Sequence, residues 1–383
     1  MKILYVTTIS NTVNAFLIPH IKMLIQEEHQ VDVAFNIVQE VNPEIIQMGC
    51  KIHQIPLQRS PLNISNYKTT KLLKNIIISE GYDIVHTHTP VASVIVRLAC
   101  RKLKNVKVFY TAHGFHFYKG APISSWLLYY PLEKWLSRYT DTLITINKED
   151  YSRAKRNFKA KKIEYIPGIG INLKSFQLVE ADEKFIRTEL SLPKDTIILL
   201  SVGEINKNKN HEVVINAMSR MKDSNIHYVI CGEGQLTTYL RNLSVRLEIE
   251  KQVHLLGFRK DIAKICKSSD IFVFPSIREG LGLAAIEAMA CGLPLITSNV
   301  HGIVDYSIDG ITGFARSPKD IYGIISSIRS LSENTQLLHK IGEYNLTAVD
   351  KYAIENVLEK MRIIYNFGGC NNESNSVNNC TSL

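Results

Sequence analysis

The sequence lacks the features that mark several classes of protein. Its seven cysteines include no CxxC pair, which gives no basis for a disulfide framework or a zinc site. No apolar run approaches the roughly 18 residues that a membrane-spanning helix needs. The first residues turn polar at Thr7, unlike a secretory signal, and no GxGxxG follows segment 2–8, which disfavours a dinucleotide-dependent dehydrogenase. We therefore expect a cytoplasmic protein with reduced thiols.

What is present is a long, mildly basic, globular chain. Its 383 residues exceed what one compact core usually holds, so two domains are expected. Hydrophobic residues make up 45% and charged residues 21%, and the formal charge is +9. A positive balance favours an anionic partner, such as a phosphorylated small molecule, an acidic membrane face or nucleic acid, although it can also serve solubility alone. Nucleic acid is not expected, because helix-turn-helix, zinc and single-strand-binding signatures are missing.

Strand-like and helix-like segments alternate along the chain. This alternation predicts an α/β protein with parallel sheets covered by helices on both faces. The pattern restarts after residues 166–176, so we expect two doubly wound, Rossmann-like domains, 1–168 and 169–351, facing each other across a cleft. The helical segment 352–366 is expected to pack back on the first domain, and the polar tail 367–383 to be disordered. The predicted strands are 2–8, 30–36, 83–90, 107–114, 141–147, 196–203, 226–232, 252–258, 270–276 and 293–299.

The stretch REGLGLAAIEAMACGLP brings two carboxylates, Glu279 and Glu287, to the start of an Ala-rich helix. Free amides and the positive end of the helix dipole favour an anion there, and Gly280 and Gly282 allow a phosphate to come close. With a helix start near Leu281, Glu287 lies roughly 9 Å along the axis, within reach of a ribose attached to a bound diphosphate. Glu279 precedes the helix and faces whatever lies beyond the diphosphate, such as a hexose. The alternative is that Glu279 only complements the dipole and that Glu287 is a surface acid.

This stretch resembles the signature E-G-x-G-L-x-x-x-E-A-M-A-x-G-x-P of the retaining glycosyltransferases of family 4, which have the two-domain GT-B fold. The match from Glu279 to Pro294 is nearly complete. The likeness covers about residues 1–366, and TAHGFHFYKGAP is similar to members from bacterial exopolysaccharide and capsule clusters. Three further segments resemble parts of the family: SVGEINKNKNH at 201–211, DIAKICKSSDIFVFPS at 261–276 and HGIVDYSIDGITGF at 301–314.

The resemblance implies roles for several residues. It puts Glu287 on the nucleotide ribose, Glu279 on hydroxyls of the donor sugar, and Lys209 on the diphosphate, where an ammonium can neutralise charge on the leaving group. It also puts four consecutive backbone amides on the phosphates, those of Gly280, Leu281, Gly282 and Leu283.

The sequence departs from the family pattern in two places. Glu204 stands where an Arg is common, so either this acid turns away or another cation supplies the missing charge. The candidate cations are Lys207, Arg259 and Arg278. Ser10, Asn11 and Thr12 stand where many members have paired glycines.

Histidines supply the remaining catalytic candidate. His113 follows a predicted strand, and the family has a histidine at this strand end that approaches the transferred sugar; an ordinary loop histidine is the alternative. His116 is close in sequence but can point elsewhere. His86 and His88 lie two apart on one strand face, a spacing compatible with a metal, but no acid or cysteine accompanies them. No DxD pair is evident, in agreement with the metal independence of the family, so no metal or cofactor is expected.

Segment 115–136 has the composition of a membrane-facing element. It contains both tryptophans, Trp126 and Trp135, with Tyr129 and Tyr130 beside them, and the basic run RAKRNFKAKK lies nearby in the sequence. Aromatic side chains with neighbouring cations suit a bilayer interface and a lipid-linked acceptor. A core-packing helix beside a solvated basic face is the alternative.

These observations predict a hexosyltransferase that moves a sugar from a nucleoside diphosphate, UDP being expected, with retention at the anomeric carbon. Because the resemblance offers no agreed nucleophile, front-face attack is favoured, in which the leaving phosphate accepts the acceptor's proton. The expected acceptor is a polyprenyl-diphosphate-linked or other saccharide at the cytoplasmic face of the membrane. Two alternatives stay open. A UDP-sugar 2-epimerase of the same fold would turn over the donor without an acceptor, and a nucleotide-sugar-binding subunit would show no turnover.

Overall fold

The computed structural model of the chain describes residues 1–58 and 65–365, so the predicted disorder of the tail 367–383 lies outside the described residues. Two parallel sheets, each flanked by helices, account for most of the described chain. The strands are mostly continuous apolar runs, as expected where helices cover both faces of a parallel sheet. In the first strand, for example, Ile3, Leu4, Tyr5 and Val6 are all buried.

The first sheet has seven strands within the described residues, in the order β3-β2-β1-β4-β5-β6-β7. Its strands are β1 Lys2–Ile9, β2 Gln30–Asn36, β3 Ile52–Gln54, β4 Ile84–Thr87, β5 Lys107–Ala112, β6 Thr142–Thr145 and β7 Lys162–Tyr165. The helices around it are α1 Ser10–Thr12, α2 Ile18–Gln26, α3 Pro43–Gln47, α4 Ser65–Glu80, α5 Pro90–Cys100, α6 Ile123–Leu136 and α7 Lys148–Asn157, with a π-helical turn at Val13–Leu17 and a 3-10 turn at Ser137–Tyr139.

The second sheet has six strands in the described chain, in the order β10-β9-β8-β11-β12-β13. Its strands are β8 Ile197–Val202, β9 Ile226–Cys231, β10 Val253–Gly257, β11 Ile271–Phe274, β12 Leu295–Ser298 and β13 Gly313–Arg316. Its helices are α8 Lys174–Gln177, α9 Phe185–Glu189, α10 His211–Met221, α11 Thr237–Arg246, α12 Ile262–Lys267, α13 Leu283–Ala290, α14 Ile321–Ser332 and α15 Thr335–Ala348, with 3-10 turns at Glu250–Gln252, His301–Asp305 and Asp350–Tyr352.

Every strand predicted from the sequence overlaps an observed strand, and three observed strands, β3, β7 and β13, are not predicted. All three lie at an edge of a sheet. Most of their side chains are half-buried or exposed. An edge strand has a neighbour on one side alone, so it can lack the apolar run by which central strands are recognised; β10, the other edge strand of the two sheets, keeps such a run and is predicted.

The last helix, α16 Ile354–Tyr365, returns from the second sheet to the first and packs against α2. Its residues Val357, Met361 and Ile364 are buried in the same core cluster as Leu24 of α2. The chain segment between the domains is also fixed, because the Ile171 amide donates to the Tyr352 carbonyl at 3.0 Å. The core therefore runs through the junction between the two domains.

The order of strands reverses between β1 and β4 in the first sheet and between β8 and β11 in the second. Loops that leave the carboxyl ends of strands at such a reversal form the crevice in which α/β proteins bind ligands. In the second sheet these loops are residues 203–210 and 275–282, which contain most of the residues assigned to the donor from the sequence.

Candidate active site

The loop after β11 turns sharply into α13. Gly282 adopts a left-handed conformation with a φ of 91°, and a Cβ atom there would lie 2.6 Å from Cε1 of Phe274. Both facts require glycine at this turn. The helix therefore begins at Leu283, two residues later than predicted, and Glu287 lies about 6 Å along its axis instead of the predicted 9 Å. The error is small and keeps Glu287 on the first turns of the helix, beside its free amides.

Glu287 is a half-buried acid without a partner. In the described part of the chain, no side chain or amide donates a hydrogen bond to its carboxylate. Burial raises its pKa from the ordinary 4.5 to about 6, because desolvation penalises the charged form. A carboxylate kept in this state lowers the stability of the free protein, and it is available to accept hydrogen bonds from a ligand.

Lys209 and Glu279 form an ion pair at the mouth of α13. Nζ of Lys209 donates to Oε1 of Glu279 at 2.7 Å, and it lies 4.5 Å from the centre of the Phe274 ring. The two loops that carry them are joined by a bond of 2.8 Å from the Ile277 amide to the Asn208 carbonyl. In the structure, the lysine predicted to hold the diphosphate therefore neutralises the acid predicted to hold the sugar.

The two domains touch at Gly280. A Cβ atom on Gly280 would lie 1.9 Å from the carbonyl oxygen of His113, and one on Gly114 would lie 2.6 Å from Cα of Gly280. Asn147, at the start of α7, donates from Nδ2 to the Gly280 carbonyl at 3.0 Å. The structure thus brings the backbone of His113 in the first domain against loop 275–282 of the second, called the donor loop because the sequence assigns the donor to it.

His113 belongs to a group of packed histidines. Its Nε2 lies 3.3 Å from Nδ1 of His88, whose ring is 4.1 Å from that of His86. Burial, and secondarily the nearby His20, lowers the pKa of His113 to about 4, so the ring is neutral at pH 7. His86 is held by the hydroxyls of Tyr365 and Thr111. Among the described residues, no three His, Cys, Asp or Glu side chains are grouped so that they could hold a metal ion.

The cations that could supply the positive charge missing at position 204 differ in their surroundings. Glu204 is exposed to solvent. Arg259 is engaged by the carboxylates of Glu189, at 2.5 Å, and Asp261, at 2.7 Å. Arg278 lies near enough to the first domain that its charge contributes, after burial, to lowering the pKa of His116 to about 4. Lys207 is exposed to solvent.

Segment 115–136 divides its two faces between the core and the solvent. Trp126 packs against Phe117 with the Arg153 guanidinium 4.8 Å from its ring centre, so much of the aromatic content faces inward. The exposed face of α6 is instead aliphatic with one tryptophan: Ile123, Leu127, Leu128 and Trp135 are 77%, 74%, 62% and 39% exposed. Beside this helix is a largely apolar cavity of about 410 Å³, lined in part by Tyr129, Leu132 and Thr89. No helix of the described chain has the length and apolar character that crossing a bilayer requires.

One pair of site residues is not predicted from the sequence. Asp150 of α7 and His301 of the second domain lie 3.1 Å apart, and both side chains are fully buried. The motif N-x-x-D at residues 147–150 is a signal for a helix start, and the Asn147 side chain does accept from the Asp150 amide. That signal says nothing of a partner in the other domain.

Two family models together cover most of the chain. The model described as glycosyl transferases group 1 matches residues 182–347, and the model described as glycosyl transferase 4-like matches residues 2–147. The chain is 37% identical to EpsD of Bacillus subtilis (strain 168), which is described as a glycosyltransferase, over 95% of this chain and 96% of EpsD.

Two more relatives and one solved structure extend the comparison. The chain is 29% identical to the UDP-Gal:alpha-D-GlcNAc-diphosphoundecaprenol alpha-1,3-galactosyltransferase of Escherichia coli, over 79% of this chain and 80% of that protein. It is 26% identical to CapM of Staphylococcus aureus, a capsular polysaccharide biosynthesis glycosyltransferase, over 95% and 97% of the two chains. The structure of Anabaena HepE in complex with UDP-glucose superimposes with a TM-score of 0.77 at 16% identity, covering 96% of this chain and 100% of HepE.

Proposed function

The chain belongs to the group 1 glycosyltransferases, and we propose that it transfers a hexose from UDP, with retention at the anomeric carbon, to a lipid-linked saccharide. The predicted family, with its exopolysaccharide and capsule members, and the predicted GT-B fold are confirmed. What we propose beyond the family is the identity of the donor, the retention of anomeric configuration and the nature of the acceptor. The observation that carries it is the unpaired, half-buried Glu287 carboxylate beside the amide-rich start of α13.

The donor part of the proposal follows from the chemistry of this pocket. A diphosphate at the start of α13 would accept hydrogen bonds from the free amides of the first turn. A ribose extending along the helix would then offer two adjacent hydroxyls to Glu287, which accepts both through its two oxygens. UDP-sugars as donors are supported by the name of the Escherichia coli relative and by the UDP-glucose complex of HepE.

Transfer then requires Lys209 to change partner. In the structure its ammonium is bound to Glu279. With donor present, Lys209 would neutralise the leaving diphosphate, and Glu279 would accept from hydroxyls of the hexose. Neutral His113, at the facing strand end, can also accept a hydrogen bond from the sugar.

Retention is proposed to result from front-face attack. The acceptor hydroxyl oxygen bonds to the anomeric carbon on the side from which the diphosphate leaves, and the bond between that carbon and the phosphate oxygen breaks. The proton of the hydroxyl passes to the leaving phosphate, so no side chain has to act as a base. Contact between the domains at Gly280 would keep water away from the sugar, which limits hydrolysis.

The acceptor is proposed to be lipid-linked and to reach the cleft along α6. Its exposed apolar side chains, such as Leu127 and Leu128, suit the headgroup region of a bilayer, and the apolar cavity lies beside the same helix. The Escherichia coli relative acts, by its name, on a diphosphoundecaprenol-linked sugar. A peripheral position at the membrane would let the enzyme meet such an acceptor without a spanning helix.

A donor panel tests this proposal. The purified protein is incubated with several nucleotide-sugars, with and without undecaprenyl-diphosphate-linked GlcNAc, and release of nucleoside diphosphate is measured. Release of UDP is expected only when the acceptor is present. NMR of the product should show the same anomeric configuration as the donor sugar. Donor isomerisation without an acceptor, binding without release, or an inverted product would each contradict the proposal.

A further inference from the structure

Asp150 and His301 form a buried pair that joins the two domains and to which the proposed mechanism gives no role. Oδ1 of Asp150 lies 3.1 Å from Nε2 of His301, and neither side chain has exposed surface. Because a carboxylate only accepts, the imidazole Nε2 carries the proton and donates it to this bond. Burying such groups is costly unless they are paired, so the contact ties together the elements that supply them.

On the first domain, Asp150 joins two elements that border the cleft. Its Oδ2 accepts from the amide of Phe115 at 2.8 Å and from Nδ2 of Asn147 at 2.9 Å. Phe115 is two residues beyond His113, and Asn147 also donates to the Gly280 carbonyl of the donor loop. The position of the Asp150 carboxylate therefore fixes both the loop of His113 and the contact to Gly280.

On the second domain, His301 lies in a turn that packs against the donor loop. Its backbone is left-handed, with a φ of 46°, and its ring stacks on Tyr118 of the first domain at 4.9 Å. The next residue, Gly302, donates from its amide to the Glu279 carbonyl at 3.1 Å. A Cβ atom on Gly302 would lie 1.9 Å from the Gly280 carbonyl oxygen, so no side chain fits between this turn and the loop.

We propose that Asp150 and His301 are a positioning dyad that holds the cleft in the closed arrangement in which His113 and Glu279 meet the donor sugar. The partners belong to different domains, so an opening of the cleft that moves α7 away from the turn of His301 leaves both without this bond. Their bond therefore favours the closed form over the open one. This inference rests on the proposed function, and it deepens it by naming residues that set the geometry without touching the donor.

Two conservative variants and their combination test the dyad. Asp150→Asn keeps an oxygen that can accept from the Phe115 amide. His301→Asn keeps a residue type that tolerates the left-handed backbone, but it is too short to reach Asp150. Each single variant should lower kcat about 10- to 100-fold, the range expected when reacting groups are displaced by about 1 Å. The affinity for UDP should stay within about threefold, because its proposed site lies in the second domain alone.

The double variant and a matched control make the test specific. The double variant should be no worse than the poorer single variant, since both remove one interaction. The fraction of donor lost to hydrolysis should rise in all three. Asp270→Asn is the control, because Asp270 also forms an ion pair, with Arg187 at 2.5 Å, in a half-buried setting within one domain and at the end of β11 away from loop 275–282. It should lower Tm without changing kcat or the hydrolysed fraction.

Small-angle scattering with saturating UDP gives a readout that does not depend on turnover. The wild-type protein should be compact, and Asp150→Asn and His301→Asn should both show a larger radius of gyration. Folded single variants with unchanged kcat and unchanged scattering, or with additive losses in the double variant, would overturn the dyad. The two proposals can fail separately. If the wild-type protein transfers no sugar, but the single variants still show a larger radius of gyration than the wild type, the proposed function is contradicted and the dyad is supported.

Discussion

Replacing Glu287 by Gln should stabilise the free protein and weaken its binding of UDP at the same time. The carboxylate has no partner in the described chain, and burial raises its pKa from 4.5 to about 6. A folded-state pKa above that of the unfolded chain means that ionisation destabilises the fold. The destabilisation is absent below about pH 4.5, and it grows as the pH rises through about 6.

The size of the stability change follows from the same values. The difference between 4.5 and about 6 corresponds to about 2 kcal/mol in the free energy of unfolding at pH 7. Glutamine has the shape of the acid and carries no charge, so Glu287→Gln should recover up to about that amount. The gain corresponds to a rise in Tm of a few degrees, and it should disappear below about pH 4.5.

The size of the affinity change follows from the hydrogen bonds to the ribose. A bond to a charged acceptor contributes about 1.5–3 kcal/mol, and a neutral one about 0.5–1.5 kcal/mol. Two such bonds weakened in Glu287→Gln should cost about 2 kcal/mol, or roughly 30-fold in Kd for UDP. Glu287→Ala, which removes both bonds, should bind UDP more weakly still.

Differential scanning calorimetry and titration calorimetry with UDP, each run at pH 4.5 and pH 7.5, measure both effects. Glu343→Gln, an exposed acid on α15 of the same domain, is the matched control and should change neither quantity. A raised Tm with unchanged UDP affinity would refute the ribose assignment. A lowered Tm at pH 7.5 would refute the argument from burial, because it would mean that Glu287 has a stabilising partner.

Three further predictions concern the rest of the site and the surface of α6. Lys209→Ala should lower kcat, measured by UDP release, by at least about 100-fold, because the leaving diphosphate loses its cation. Lys209→Arg should recover part of the rate. A kcat of Lys209→Ala equal to that of the wild type would exclude this role. His113→Ala should lower kcat while titration calorimetry finds UDP affinity within about threefold, and a matching loss of UDP affinity would instead place His113 on the nucleotide. Leu127→Gln combined with Leu128→Gln should reduce sedimentation of the protein with vesicles that contain anionic phospholipid. The control is Val245→Gln, at a 56% exposed position on α11, which should leave sedimentation unchanged. Unchanged sedimentation of the α6 double variant would rule out α6 as the membrane-binding face.

The sequence predicts the central strands well, because the apolar run that marks each of them lies within the strand itself. A strand covered on both faces needs an uninterrupted apolar run, and each such run was enough to place one strand. The edge strands β3, β7 and β13 are half-exposed, so the same rule does not find them. The predicted start of α13 fails for a related reason. Apolar spacing alone extends the helix back to Leu281, but the left-handed backbone of Gly282 interrupts it.

Contacts between distant residues are the part that local patterns do not determine. Asp150 and His301 are 151 positions apart, and neither stands in a segment whose pattern refers to the other. The orientation of α6 is a similar case. The aromatic content of the segment suggests an interface, yet which face of a helix meets the core depends on its neighbours, and here Trp126 packs inward while the leucines face outward.

The ion pair between Lys209 and Glu279 offers a reason why two acids can border the proposed diphosphate site without repelling its ligand. In the structure, Glu279 is neutralised by an ammonium at 2.7 Å, and Glu287 is the fifth residue of α13, beyond the first amides of the helix that would meet the phosphates. In the proposed donor complex, the diphosphate would offer Lys209 a second anionic partner, and hexose hydroxyls would offer Glu279 replacement donors. Both halves of the ion pair are then satisfied only by a complete nucleotide-sugar. UDP without a sugar would take Lys209 from Glu279 and supply no hydroxyl in its place. The site would therefore bind the intact nucleotide-sugar more favourably than the UDP that is released.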